Sequence, residues 1–292
     1  MKTARYLFGL WLALLGGASQ AADAPFLWKV QGERATHYVM GSVHVLPRSA
    51  YPLPQALQQA YDDTRELVLE TDPAALAAPQ MREHMLRAAA SGQGLAQEVG
   101  TELHRKVQSR ARELELPAEI CDPFKAWFCG LTLGLIEFQR AGMDPSLGLD
   151  QHFYRQAQSM QRPIAWLETP QAQFELFIGM DAQMSRQFLQ STLQDFERPE
   201  LQPDALIELW QRNDTRAMER FIVDTARDFP RFHRRMMSER NRAWAAALVP
   251  RLQGAAAQLV IVGAGHLLGP DSLLQELRAR GFAVEPVVAS GS

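Results

Sequence analysis

The sequence predicts a mixed α/β (α+β) fold in which a central mixed β-sheet, built from both chain ends as two pseudo-symmetric halves, is covered by a large helical insertion. Three observations lead there. The phrase Tyr38-Val-Met-Gly41-Ser-Val-His44 returns near the other end as Leu259-Val-Ile-Val-Gly263-Ala-Gly-His266. A second echo pairs Leu67-Val-Leu69-Glu70-Thr71 with Ala165-Trp166-Leu167-Glu168-Thr169. Between these strand-like runs, most of the chain has apolar residues at three and four spacing, the helical period.

The elements follow in order. Phe26 to Val30 and Thr36 to Met40 read as a hairpin around Gln31-Gly32-Glu33-Arg34, and the first Gly-x-x-His comes directly after. Pro52 to Asp63 reads as an amphipathic helix leading into a strand at Leu67 to Leu69. Beyond Pro73 the segments 74–91, 94–112, 123–141, 147–159, 171–196, 203–212, 214–226 and 231–249 read as helices, interrupted by a strand at 163–167. The end returns to alternation: a strand at 258–262, a helix from Asp271 to Arg280, and a last strand near Phe282 to Val288. The sheet therefore draws on about 26–73, 163–168 and 258–288, and the helical insertion spans about 74–250. With its strands so scattered, 23–292 reads as one domain.

Residues 1–22 have the layout of a cleaved export signal: Lys2 and Arg5, an apolar stretch from Tyr6 to Leu15, then small residues at Ser19 and Ala21. Cleavage is expected after Ala21 or Ala22, which places the mature protein in the periplasm or outside the cell. No later run reaches the ~20 apolar residues of a membrane span, so none is expected after cleavage. A formal charge of −3 gives no basis for nucleic-acid binding, and the basic run Arg231 to Arg242 reads as a solvated helix face. Cys121 and Cys129 are the only cysteines. With Asp122-Pro123 read as a helix start, their Cα atoms would lie about 10 Å apart, beyond disulfide reach unless the chain folds back.

A histidine just past the carboxyl end of a buried strand stands where open α/β sheets bind ligands. A glutamate in the same setting needs a partner, because burying an unpaired charge is expensive. His44, Glu70, Glu168 and His266 are thus expected to line one cleft. Two imidazoles with one or two carboxylates suit a divalent first-row metal with open positions for water and substrate. Glu70 is the first choice for ligand or base, whereas Glu168 is read equally well as a structural carboxylate. Arg240 could hold Glu168 or a substrate terminus, or form a buried ion pair. Neighbouring Asn241 is a poor helix former and reads with Arg240 as a cleft residue. Asp150 could orient either His44 or His266. Gly41, Gly263 and Gly265 are expected to shape the site without reacting. His37, His84, His104, His152 and His233 lack the repeated context and read as surface or helix-face residues.

These motifs, with the proline-containing loop Val45-Leu46-Pro47, Gly148-Leu-Asp150-Gln-His-Phe153 and Glu239-Arg240-Asn241-Arg-Ala-Trp244, resemble the TraB/GumN family. That family includes the Tiki metalloproteases and lies near erythromycin-esterase-like and ChaN-like folds. The resemblance covers nearly all of the mature chain. It implies an exported metal-dependent hydrolase, peptidase-like, with His44, Glu70 and His266 on the essential positions and manganese or cobalt ahead of zinc as the metal. The substrate would be a peptide or small molecule. The alternative is a protein that binds or sequesters such a ligand on the same fold without turning it over. Neither a His-Glu-x-x-His helix nor a Gly-x-Ser-x-Gly elbow is present to support the common hydrolase mechanisms.

Overall fold

A computed structural model describes residues 26–287. The export signal read in 1–22 lies outside the described residues. Six strands form one mixed sheet: β1 (Leu27–Gln31), β2 (Thr36–Ser42), β3 (Glu66–Leu69), β4 (Ile164–Trp166), β5 (Gln258–Gly263) and β6 (Ala283–Pro286). Their spatial order is β4-β3-β5-β2-β1-β6. The hairpin β1–β2 and the pair β1–β6 are antiparallel, while β2–β5, β5–β3 and β3–β4 are parallel. The two strands that lead to Gly-x-x-His are neighbours, and so are the two that lead to Leu-Glu-Thr. Both chain ends build the sheet, as the sequence predicts, with β4 added at one edge from the middle of the chain.

The parallel part of the sheet explains the uninterrupted apolar runs. A strand with neighbours on both sides and both faces covered has no wet side on which to place polar residues. Val39, Met40, Val68, Val260 and Val262 are all fully buried. Register then aligns the strand ends: Ser42 lies opposite Gly263, and Leu69 opposite Ile261. The chain continues the alignment past β4, where the Glu168 amide donates to the Glu70 carbonyl at 2.8 Å.

The helices are α1 (Gln55–Asp62), α2 (Pro73–Leu76), α3 (Pro79–Ala89), α4 (Leu95–Val99), α5 (Thr101–Glu113), α6 (Ala126–Arg140) and α7 (Leu149–Ser159). They continue with α8 (Pro170–Ile178), α9 (Ala182–Asp195), α10 (Pro203–Gln211), α11 (Thr215–Asp228), α12 (Pro230–His233), α13 (Glu239–Leu252) and α14 (Leu273–Ala279). The segments read as 74–91, 94–112 and 171–196 are each split in two. Gly100, at φ +82°, breaks the second, because few residues other than glycine adopt that conformation readily. Among the described residues no helix is long and apolar enough to cross a membrane.

Three readings are corrected. The helix expected from residue 123 begins at Ala126; the chain turns back before it, and Cys121 and Cys129 form a disulfide with Cα atoms 5.4 Å apart. The helix expected over 231–249 is α12, then a π-helical turn at Arg234–Ser238, then α13; Arg240 faces the cleft and pairs with Glu168, one of the readings the sequence offered. His37 is not a surface residue. It is fully buried on β2, where one ring nitrogen meets the Leu252 carbonyl at 3.0 Å and the other accepts from the Gln258 amide at 3.2 Å. His233 is buried as well, on α12.

Candidate functional site

The cleft opens at the carboxyl ends of β2, β3 and β5. Its centre is best defined by Gly263, the last residue of β5. A Cβ built there would lie 3.2 Å from His44 Nε2, 3.4 Å from Glu70 Oε1 and 3.7 Å from His266 Cδ2. Three side chains separated by up to 222 positions thus meet around one glycine, whose missing side chain leaves them room. Gly41 and Gly265 play different parts. A Cβ on Gly41 would meet Phe26 at 2.9 Å and the Ala264 Cα at 3.1 Å, so Gly41 lets the loop after β5 pack against β2. Gly265 faces Ile222 and Met237, away from the centre.

Glu70 is buried, and both of its oxygens accept hydrogen bonds. Its Oε1 accepts from the Gly263 amide at 2.6 Å, and its Oε2 from Arg240 Nη2 at 2.7 Å and Gln173 Nε2 at 3.3 Å. Burial alone would raise its pKa. The neighbouring His266, Arg240 and His44, with the Gly263 amide, outweigh that and hold it below the usual carboxylate value. Glu70 is therefore ionised at neutral pH.

The two histidines are in opposite states. His44 sits on the loop after β2 with a 60% exposed side chain, and its Nδ1 lies 3.3 Å from Asp150 Oδ1. Asp150, on α7, is itself fixed by the Ser42 hydroxyl at 2.9 Å. Desolvation works against the imidazolium, but Asp150 and Glu70 more than offset it and carry the His44 pKa up to about 9. His266 is buried; its Nδ1 lies 2.7 Å from Asn241 Oδ1 and its Nε2 2.9 Å from Arg240 Nη1. An arginine can only donate, so Nε2 accepts and Nδ1 carries the proton to Asn241. Burial, with the positive charge of Arg240 beside it, pushes the His266 pKa down to about 3. His266 is thus neutral, in one tautomer.

Arg240, on α13, ties these groups together. Its Nε and Nη2 grip Glu168 as a fork at 3.2 and 2.8 Å, Nη2 also reaches Glu70, and Nη1 donates to the Met236 carbonyl at 3.1 Å and to His266. The guanidinium lies 4.4 Å over the Trp244 ring, which also packs against His266. Asn241 Nδ2 completes the frame by donating to the Asp271 carbonyl at 2.7 Å.

The donor set does not fit a divalent metal as the side chains stand. His44 has a ligand's posture, with Nδ1 on a carboxylate and Nε2 unused. His266 does not, since a neutral imidazole has one acceptor nitrogen and Arg240 already holds it. Among the described residues no group of three or more His, Cys, Asp or Glu side chains is disposed to hold an ion.

Beside this centre lies a cavity of about 710 Å³, mostly apolar, with His44, Glu70 and Asp150 at its floor, Leu76 and Leu135 on its wall, and the exposed Arg82 at its margin. That volume suits a small ligand or a few residues of a peptide. Of the residues singled out in the sequence, His44, Glu70, Glu168, His266, Asp150, Arg240, Asn241 and Gly263 come together. Ser42 and Gln173 join them without having been expected. Ser42 lies inside the first Gly-x-x-His phrase, where its hydroxyl was a legible signal; Gln173 had none.

A family model described as "TraB/PrgY/gumN family" matches residues 26–286, and so spans nearly every described residue. The chain belongs to the TraB/PrgY/gumN family. Two relatives of this TraB/PrgY/gumN protein are each named "Uncharacterized protein YbaP", one from Shigella flexneri and one from Escherichia coli (strain K12). Each is 23% identical over 276 residues, covering 92% of this chain and 97% of the relative. No solved structure matches the chain.

Proposed function

We propose that this chain is an exported hydrolase of peptide or similar amide bonds. The observation that carries the reading is the convergence of His44 Nε2 and Glu70 Oε1 on Gly263, at the edge of a cavity large enough for a short peptide. An atom bound there is within reach of an ionised carboxylate and a protonated imidazole, two groups whose surroundings drive them to opposite charge. Glu70 takes the proton from an attacking water while the water oxygen bonds to the carbonyl carbon. His44 gives its proton to the departing nitrogen as the carbon–nitrogen bond breaks. Asp150 holds the His44 ring and its charge, and Arg240 keeps Glu70 ionised and aimed.

The resemblance to metalloproteases adds a second reading, in which manganese, cobalt or zinc activates the water, and the posture of His44 is what favours it. A non-catalytic ligand-binding protein is the remaining alternative. The test is digestion of a peptide library by the mature protein, followed by mass spectrometry, for wild type, Glu70→Gln and His44→Ala, each with and without a chelator. Cleavage that either substitution abolishes is the expected outcome. Cleavage unchanged in both variants would refute the centre, and none in wild type under any metal would leave the binding protein as the better reading.

Export rests on the arrangement of residues 1–22 and agrees with the Cys121–Cys129 disulfide, a bond that persists in oxidising compartments. N-terminal sequencing of the periplasmic or secreted product should begin after Ala21 or Ala22.

A further inference from the structure

We infer that the guanidinium of Arg240 is the resident cation of this centre and holds the position a divalent metal would need between Glu70, Glu168 and His266. The argument starts from saturation. A guanidinium has five N–H groups. All five of Arg240 are used: two on Glu168, one on Glu70, one on His266 and one on the Met236 carbonyl. The group has no donor left for a substrate, so it acts by fixing its neighbours and is a positioning residue.

The same bonds take up most of what a metal would require. The single acceptor nitrogen of His266 and the Oε2 of Glu70 both point at Arg240, while Glu70 Oε1 is held by the Gly263 amide. The Asn241 contact cannot be reversed to free His266, because Nε2 facing an obligate donor requires the proton on Nδ1. His44 Nε2 is then the one imidazole nitrogen of the centre left uncommitted, and with the single lone pair still free on Glu70 Oε1 it falls short of the three protein ligands of an ordinary catalytic metal site. An ion added beside Glu70 would also stand in contact with a buried positive charge. Arg240 is not free to swing aside: its side chain is 11% exposed, it lies over Trp244, and leaving would unpair two buried carboxylates.

It follows that removing the guanidinium should create a metal site where the wild-type chain has none. Glu70, Glu168 and His266 would keep their positions, their lone pairs would be released, and an extra positive charge would be needed to balance the two carboxylates. The experiment is a titration of the purified mature protein with manganese, cobalt and zinc, followed by elemental analysis and the visible spectrum of bound cobalt. It compares wild type, Arg240→Met, and Arg240→Met combined with His266→Ala.

Wild type should retain no stoichiometric metal. Arg240→Met should bind one equivalent at least about tenfold more tightly, and loss of His266 should reverse that gain by a similar factor. One equivalent bound by wild type, with no gain in Arg240→Met, would overturn the inference. So would a folded Arg240→Met that binds no better than wild type. If Arg240→Met folds only when a divalent ion is supplied, the ion has replaced the guanidinium and the inference stands; if it stays unfolded with every ion, the inference fails. None of these readouts depends on turnover, so they are independent of whether the protein is a hydrolase.

Discussion

Gly263→Ala separates the chemistry of the centre from its stability. The backbone at Gly263 has φ −52° and ψ 135°, a conformation open to alanine, so no backbone strain is introduced. The added methyl would lie 3.2 Å from His44 Nε2, closer than such contacts normally are, and 3.4 Å from Glu70 Oε1, at the edge of ordinary contact, so a neighbour must yield by a few tenths of an ångström. Glu70 is held by the Gly263 amide, Arg240 and Gln173, whereas His44 is 60% exposed and has one side-chain partner. The displacement therefore falls on His44. Alanine reduces the freedom of the unfolded chain and gains about 0.4–1 kcal/mol, which the tight contact largely offsets, so net stability should move by less than about 1 kcal/mol. In a protein of this size that is a shift in Tm of no more than about 3 °C. Turnover should fall by about tenfold, less than the ~100-fold that a full ångström of misplacement can cost, because the methyl pushes into the space where His44 and Glu70 meet. Thermal unfolding and cleavage of a peptide substrate measure the two quantities. Wild-type turnover in a folded Gly263→Ala would refute the argument that this position is the meeting point.

Arg240→Ala should lower unfolding free energy by about 3–5 kcal/mol, since it leaves Glu70 and Glu168 buried without a cation. Adding Glu168→Gln should recover part of the loss, and a denaturant titration showing a loss under about 1 kcal/mol would mean that solvent already screens the pair. His266 should make stability fall early in acid. Its folded pKa, about 3, lies below the unfolded value of about 6.5, so between the two the unfolded chain binds the extra proton and stability is lost as pH drops. A stability profile flat from pH 6.5 to 5, well above the carboxylate range, would contradict this. Asp150→Asn should move the alkaline limb of the activity profile from about 9 toward the ordinary histidine value, because Asp150 is the main group holding the His44 proton. A limb that does not move would show that another group titrates there.

Strand positions were legible because parallel strands buried on both faces leave a signature, an apolar run ended by glycine, as at Val260 to Gly263. Glu70 and Glu168 stood out for a related reason: carboxylates at the ends of such runs demand partners. The identity of the partner was less legible. Arg240 was marked as a cleft residue by its neighbour Asn241, unlike Arg235, which bonds the carbonyl of Leu176, or the exposed Arg242, but its role stayed open between Glu168, a substrate terminus and a structural ion pair, and its reach to Glu70 and His266 was not visible. The π-helical turn before α13 is likewise something sequence periodicity does not report. The disulfide was hidden in the same way. A helix start three residues later than Asp122-Pro123 suggested lets Cys121 fold back on Cys129, and a boundary shift of that size is beyond a pattern of apolar residues. His37 was misread because its partners, the Leu252 carbonyl and the Gln258 amide, lie more than 200 positions away.

The cavity beside the centre is lined by the sheet and by a helix that packs in more than one hydrophobic cluster. The floor residues Leu69, Ile261 and Val262 are part of the core around the sheet. Leu135, on the wall, belongs to α6, whose buried face packs in two other clusters: one holds Leu95, Val107 and the disulfide, the other Trp127, Met180 and Met184. A protein opens in cooperative units that follow such cores. Phe138 on α6 packs against the sheet core, so this helix spans all three clusters and ties the wall of the cavity to the strands that carry Glu70 and Gly263.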